Sequence, residues 1–301
     1  LDNFSNYYDI NLKKNRHKIL KKKTNFTEIK IDLKNTKLLG KILVKYNPDV
    51  IIHLAAQPGV RASLERPKDY FDSNLLATFN MLQAIKNLKI KHFLMASTSS
   101  VYGNSTLIPF DELSNTDYPV SFYAATKKAN EIMAHSYSHL YKVPMTIFRF
   151  FTVYGPWGRP DMAYYKFTKS IINEEPIDIY NKGKMTRDFT YIDDLVNSIH
   201  LLIDRIPSLK YNLKNKIEGD SISNFAPYRV VNIGNSQKVT LMQFIRVLEK
   251  KIGKKAIKNY LALQQGDVKI TLAKSDLLNR LISFKPNTNI MCINKLTYME
   301  R

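Results

Sequence analysis

The chain has 301 residues, 44% of them hydrophobic, with six histidines, one cysteine and a formal charge of +20. That size allows one large or two moderate domains, and no run approaches the roughly 18 apolar residues a membrane span needs. The lone Cys292 excludes an internal disulfide and a thiolate metal site, the histidines show no ligand spacing, and no metal is implied.

Strand-like and helix-like segments alternate along the first half. Asp9–Lys23 reads as helix, its run of lysines forming a solvated face opposite Leu12, Ile19 and Leu20. A strand at Thr27–Ile31, a helix at Thr36–Tyr46, a strand at Asp49–Leu54 and a helix at Tyr70–Leu88 follow. Lys91–Ala96 reads as strand, Phe122–Tyr141 as helix and Met145–Phe150 as strand. Such alternation predicts an α/β fold with a doubly wound parallel sheet. Past Tyr154, GPWGRPD is a turn-rich break, and a smaller α/β domain is expected beyond it. There a helix at Ala163–Asn173, a strand at Ile177–Tyr180, a hairpin through NKGK, a helix at Tyr191–Ile203 and a strand at Arg229–Ile233 are predicted. Residues 207–227 read as a polar surface loop, and after Ser275 the pattern weakens.

Ligands of such sheets collect at the carboxyl ends of the strands. There stand Asp2, Asp32, His53 to Arg61, Ser97 to Ser100 and Arg149 to Tyr154. Tyr123 and Lys127 lie four residues apart on one helix and so share a face. An ammonium beside a phenol favours the phenolate, which can take a proton from an alcohol. The Thr98 hydroxyl, in STSSVYG, can bond the same alcohol oxygen. Tyr-x-x-x-Lys alone also arises by accident in a chain this rich in both residues. The positive charge is spread along the sequence, with no Arg-rich or aromatic-plus-basic stripe. An anionic small substrate, not nucleic acid or a membrane, is therefore the expected partner.

The segments HLAAQPGVRASLERP, STSSVYG, YPVSFYAATKKANE, RFFTVYGPWGRPDMA and GKMTRDFTYIDDL carry a resemblance. With VVNIGNSQKVTLMQFI and QQGDV, they are similar to the UDP-glucuronate 4-epimerase branch of the extended short-chain dehydrogenase/reductase family, an NAD-dependent epimerase/dehydratase group. The similarity runs from Asp2 to about Pro286. It implies bound NAD, a UDP-sugar substrate and C4 epimerisation by Thr98, Tyr123 and Lys127. By the family pattern Asp2 and Asn3 hold the adenosine ribose, and Asp32 and Leu33 flank the adenine. Leu54, Ala55, Ala56, Asn74 and Phe150 complete the cofactor side. On the substrate side Arg187 clamps the diphosphate, Tyr180 stacks on uracil and Asp267 bonds the nucleotide ribose. Thr98, Ser99, Ser100, Thr152 and Arg159 surround the sugar carboxylate, and Gln57 and Arg61 face the sugar. Ser99 and Ser100 stand where dehydrating relatives carry Asp-Glu, so loss of water is not expected.

The resemblance also divides the chain. Residues 1–155 are expected to bind NAD and 156–301 mainly the substrate, with 187–205 and 228–236 returning to the first domain. The family's glycine-rich strand-turn-helix before Asp2 is absent from this sequence, so a gap in the sheet is expected, and the tail after Phe284 departs from the family pattern. A truncated, non-catalytic remnant and an epimerase for a neutral UDP-sugar stay open as alternatives. A homodimer through the helices at Tyr70–Leu88 and Phe122–Tyr141 is implied, with Met81, Leu82, Ile85, Ile132, Met133 and Tyr137 at helical spacing. The cytoplasm is the compartment that the single cysteine suits.

Overall fold

A computed structural model describes residues 1–209 and 217–292. The chain begins with α1 (Ile10–Leu20), α2 (Thr36–Tyr46), β1 (Val50–His53), α3 (Ala62–Glu65), α4 (Pro67–Tyr70) and α5 (Ala77–Ile85). Next come β2 (His92–Thr98), α6 (Phe122–Tyr141), β3 (Met145–Phe150), β4 (Thr152–Tyr154), α7 (Ala163–Ile172) and β5 (Pro176–Ile179). The remainder is β6 (Thr186–Tyr191), α8 (Ile192–Leu202), β7 (Tyr228–Ile233), β8 (Lys238–Thr240), α9 (Leu241–Ile252), β9 (Ile257–Tyr260) and α10 (Asp276–Ile282).

Four strands form one parallel sheet in the order β1-β2-β3-β7. Its strands are apolar on both faces, as parallel strands covered by helices must be. Phe93, Met95, Met145 and Ile147 pack against Leu39 and Leu43 of α2 and Met81, Leu82 and Ile85 of α5. Leu94, Phe148 and Val231 face the other way, onto Leu195, Ile199 and Leu202 of α8 and Leu277, Leu278 and Leu281 of α10. This is the doubly wound, Rossmann-like arrangement the alternation predicts. A second apolar cluster joins Tyr164, Phe167 and Ile171 of α7 to Ile177 and Ile179 of β5, and to Phe244, Ile245 and Leu248 of α9. Local signals set the helix ends. Ser121 accepts a hydrogen bond from Ala124 N at the start of α6, and Thr240 and Gln243 form a capping box on α9.

Several expectations change. Thr27–Ile31 is not a strand: among the described residues its one pairing is a single bridge between Asp2 and Lys30. Among the described residues β1 likewise pairs on one side alone, and the lining of a wide cavity takes in β1 together with Ile29 and Ile31. The helix expected over Tyr70–Leu88 is interrupted by a π-helical stretch, Phe71–Leu76, that turns Asn74 fully inward. NKGK makes no hairpin. Asn181 and Lys182 adopt left-handed angles in a tight turn, after which β5 pairs in parallel with β9, while β6 pairs with β4 and β8. The segment over 207–227 is not simply surface loop. Residues 210–216 lie outside the described part, but Asp220, Ile222 and Ala226 are buried, and Asp220 holds Arg229 of β7 at 2.9 and 3.0 Å. The pattern after Ser275 conceals α10, whose Leu277, Leu278, Leu281 and Ile282 are all buried. The tail beyond residue 292 lies outside the described part.

Leu278 is 0% exposed beneath β7 and α8. Leu278→Ala is therefore expected to destabilise the protein by about 2–5 kcal/mol, measured by urea unfolding. A loss under about 1 kcal/mol would show that α10 is not part of the core.

Candidate active site

The carboxyl ends of β1, β2 and β3 open into a cavity of about 1020 Å³. That is at the upper edge of the range of roughly 300–1,000 Å³ for ligand sites. Asp2, Asn3, Asp32, Leu33, Leu54, Ala55, Ala56 and Gln57 line it, as do Thr98, Tyr123, Lys127, Phe150 and Arg159. Residues far apart in sequence thus meet because parallel strands all end at one edge of the sheet.

At one end Thr98 terminates β2 and caps the tight turn Ser99–Tyr102, accepting from Ser100 N at 3.1 Å. That turn closes at Gly103, with φ 56°, where a Cβ would run into the Tyr118 carbonyl. Tyr123 and Lys127 project from the first turns of α6, and the Tyr123 N–H donates to Ser63 Oγ at 3.1 Å. Lys127 is 4% exposed; burial pulls its ammonium down to about 8, and Glu131, one turn further along α6, opposes that pull. Burial pushes the Tyr123 phenol above its ordinary value, against the Arg159 guanidinium and the Thr98 hydroxyl, which both lower it. The expectation of a phenol made acidic by Lys127 is thereby corrected. Tyr123 and Lys127 share a helix face, yet the cation that lowers the phenol's pKa is Arg159, from the β4–α7 loop.

At the other end stand two carboxylates. Asp2 Oδ1 accepts from Phe4 N at 2.6 Å, and Asp32 accepts from Lys34 N at 2.9 Å and from Asn3 Nδ2 at 3.2 Å. Carboxylates there suit vicinal ribose hydroxyls, and Lys127, Tyr123 and Thr98 suit a second sugar and an alcohol. Between them Ala55, Ala56 and Ala96 leave room for a flat group. The donor set fits a dinucleotide at both ends.

The remaining predicted residues divide. Asn74 does not line the cavity. Its amide is spent on Gln57 N and O, at 2.7 and 3.1 Å, and on Thr126 Oγ1 at 3.0 Å, so it braces the loop that carries Gln57. Ser99 is buried, with Ser100 and Thr152 partly so, and none of the three is part of the cavity wall. Arg159 is held by Asp161 at 3.1 Å. Arg61, Tyr180, Arg187 and Asp267 form a separate group. The Arg61 guanidinium lies 4.3 Å from the centre of the Tyr180 ring, and its Nη2 donates to Asp267 Oδ2 at 2.9 Å. Arg187 donates to the Thr186 carbonyl at 2.9 Å, and burial lowers its pKa while Asp267 opposes that.

Residues 5–213 match the NAD dependent epimerase/dehydratase family. The chain belongs to that family. It is 52% identical over 289 residues to a probable UDP-glucuronate 4-epimerase of Rhizobium meliloti, covering 96% of this chain and 85% of the relative. It is 50% identical over 303 residues to the protein CapI of Staphylococcus aureus, covering 100% and 90%. Among solved structures it resembles the UDP-glucuronic acid 4-epimerase of Bacillus cereus in complex with UDP-glucuronic acid and NAD. That likeness has a TM-score of 0.83 at 34% identity and covers 96% of this chain and 86% of the other.

The motifs give no role to Glu131 or Asp161 in this epimerase-family site, and they place His53 at a strand end without a role. His53 lines the cavity from β1, 5% exposed, and shares a hydrogen bond with Thr78 Oγ1 at 3.1 Å. Burial, and secondarily Lys127, drive its pKa from 6.5 to about 3. A histidine with a depressed folded pKa takes up its proton more readily when unfolded. Its contribution is therefore intact above pH 6.5 and is eroded as pH falls from there toward 3. His53→Asn should lose less stability than the parent between those limits, by up to about 1.4 kcal/mol per pH unit. Urea unfolding at stepped pH checks this; parallel stability curves would contradict it.

Proposed function

We propose that the protein inverts C4 of a UDP-hexuronic acid, converting UDP-glucuronate to UDP-galacturonate and back, with NAD held through the cycle. The observation that carries this reading is the convergence of Thr98, Tyr123 and Lys127 on one end of a cavity whose far end presents Asp2 and Asp32. The relatives named above, covering almost the whole chain, support it.

When bound, NAD supplies a hydride acceptor at its nicotinamide and returns the same hydride, so no net oxidation occurs. Tyr123 takes the proton of the 4-hydroxyl as C4 loses its hydride and gives it back once the opposite face of the sugar is presented. Thr98 holds the alcohol oxygen. Lys127 bonds the nicotinamide ribose. Asp2, Asn3, Asp32 and Leu33 hold the adenosine end, and Leu54, Ala55, Ala56 and Phe150 pack along the cofactor. Asn74 serves that side through the Gln57 loop it braces. Arg159, on the cavity wall, has two tasks: it attracts the sugar carboxylate and it favours the Tyr123 phenolate. A cation in that place favours an acidic sugar over a neutral one. Tyr180, Arg187 and Asp267 take the uridine diphosphate, with Gln57 and Arg61 toward the sugar. We divide the chain accordingly into a cofactor part (1–155, with 187–205 and 228–236) and a substrate part (the rest of 156–301).

Among the described residues no helix is long and apolar enough to cross a membrane, and we place the reaction in the cytoplasm. We further propose a homodimer through α5 and α6. Met81, Leu82 and Ile85 are committed to the protein's own core, but Phe79, Ile132 and Leu140 are 40%, 60% and 63% exposed.

Incubation with UDP-glucuronate should yield a product of unchanged mass with inverted C4, resolved by proton NMR. Tyr123→Phe should lower kcat by about 10²–10⁴-fold; activity equal to the parent would remove Tyr123 from its assigned role. Ile132→Glu should shift the sedimenting species from dimer to monomer, and a parent protein that sediments as a monomer would refute the dimer.

A further inference from the structure

Glu131 touches neither reactant in the mechanism above, yet it lies on the helix of Tyr123 and Lys127 and is bonded to Ser97, the neighbour of Thr98. It follows Lys127 by four residues and Tyr123 by eight, so all three lie on one face of α6. It is 3% exposed. Its Oε1 accepts from the Ser97 hydroxyl at 2.6 Å and from Arg149 Nε at 3.0 Å, and its Oε2 accepts from Arg149 Nη2 at 2.8 Å. Ser97 immediately precedes Thr98 on β2 and pairs with Arg149 on β3. The Glu131 carbonyl accepts from the Tyr228 hydroxyl of β7 at 3.1 Å. One residue thereby fastens the helix of Tyr123 and Lys127 to the central strands, one position from Thr98.

Resting on the roles given above to Tyr123, Thr98 and Lys127, we propose that Glu131 is a positioning residue of the epimerisation. It pins α6 to β2 so that phenol and hydroxyl meet the same alcohol, and its charge keeps the Lys127 side chain an ammonium. Stability alone is a weak reason for such a group, since apolar replacements of buried ion pairs are often as stable. Lys127 is pulled toward neutrality by burial, and Glu131 is the charge that opposes this. The other groups around it do not supply that charge. His53, on β1, is neutral, and Arg149, on β3, is positive and spent on Glu131. Arg159, from the β4–α7 loop, is a cation acting on Tyr123. Glu112 stands behind Arg149, accepting from its Nη1 through the main-chain carbonyl at 3.3 Å; burial pushes its carboxyl up to about 7.

Glu131→Gln keeps the shape and an acceptor but removes the charge. Ser97→Ala cuts the tether to β2 and leaves the ion pair. Glu131→Gln is expected to lower kcat about tenfold or more, with KM for UDP-glucuronate changed less than about threefold. The alkaline limb of its kcat profile should move down by roughly one pH unit, because Lys127 loses its proton sooner. Ser97→Ala should lower kcat with the limb unmoved. A readout independent of turnover is the carbamylation of Lys127 by cyanate, followed against pH by peptide mass mapping with no NAD added. Only the neutral amine reacts, so the midpoint belongs to Lys127; it should fall by roughly one unit in Glu131→Gln and stay in place in Ser97→Ala. An unmoved midpoint overturns the charge role even if kcat falls, and parent-like turnover in Ser97→Ala overturns the tether. If the parent does not epimerise at all, the reaction reading fails, while the cyanate midpoints still decide the charge role. Should Glu131→Gln not fold, the double variant Glu131→Gln with Arg149→Gln, which leaves no unpaired buried charge, takes its place.

Discussion

Pairing of β2 with β3 sets Ser97 opposite Arg149 and Thr98 opposite Phe150. Side chains opposite each other in a sheet project from the same face, so Ser97 and Arg149 reach one carboxylate, Glu131, on the helix above. A slip of one residue would turn every side chain of β2 to the other face. It would also take the Ser97 hydroxyl away from Glu131, leaving that buried carboxylate to Arg149 alone. Register, the seat of α6 and the placing of Thr98 against Tyr123 are therefore one constraint.

The same packing explains the electrostatics of the site. Burial alone would keep the Tyr123 phenol protonated and the Lys127 amine neutral, the reverse of what proton transfer asks. The opposing charges come from two directions. Glu131 reaches Lys127 along the helix, and Arg159 reaches Tyr123 from the loop leading to the second apolar cluster. That loop is anchored at its far side by α7, and Asp161 fixes the Arg159 head group. α7, part of the second cluster, thus mounts the loop whose Arg159 lowers the Tyr123 pKa. Arg61, between the Tyr180 ring and Asp267, joins the loop after β1 to the same side.

Periodicity was enough to read the β1, β2, β3 and α6 elements and the side each presents, because apolar runs and helix formers act over a few residues. It failed where a distant segment settles the outcome. Thr27–Ile31 has strand composition but, among the described residues, no bridge partner beyond Asp2. The NKGK turn resembles a hairpin, yet β5 finds β9 across nearly eighty residues of sequence. Asp220 looks like a loop residue until Arg229 is placed beside it. The π-helical turn at Phe71–Leu76 points Asn74 at Gln57 and away from the cavity, a change of direction no propensity carries.

From its amino acids alone this chain declared a doubly wound α/β fold and a tyrosine and lysine on one helical face. Those are matters of spacing along a single segment, and backbone geometry enforces them locally. Its motifs declared the family. The direction in which burial moves each pKa, the cation that answers for the phenol, and the clamp that holds helix to strand were decided only by folding. Desolvation and Coulomb attraction depend on distances between groups from different elements, and those distances do not exist until the elements pack.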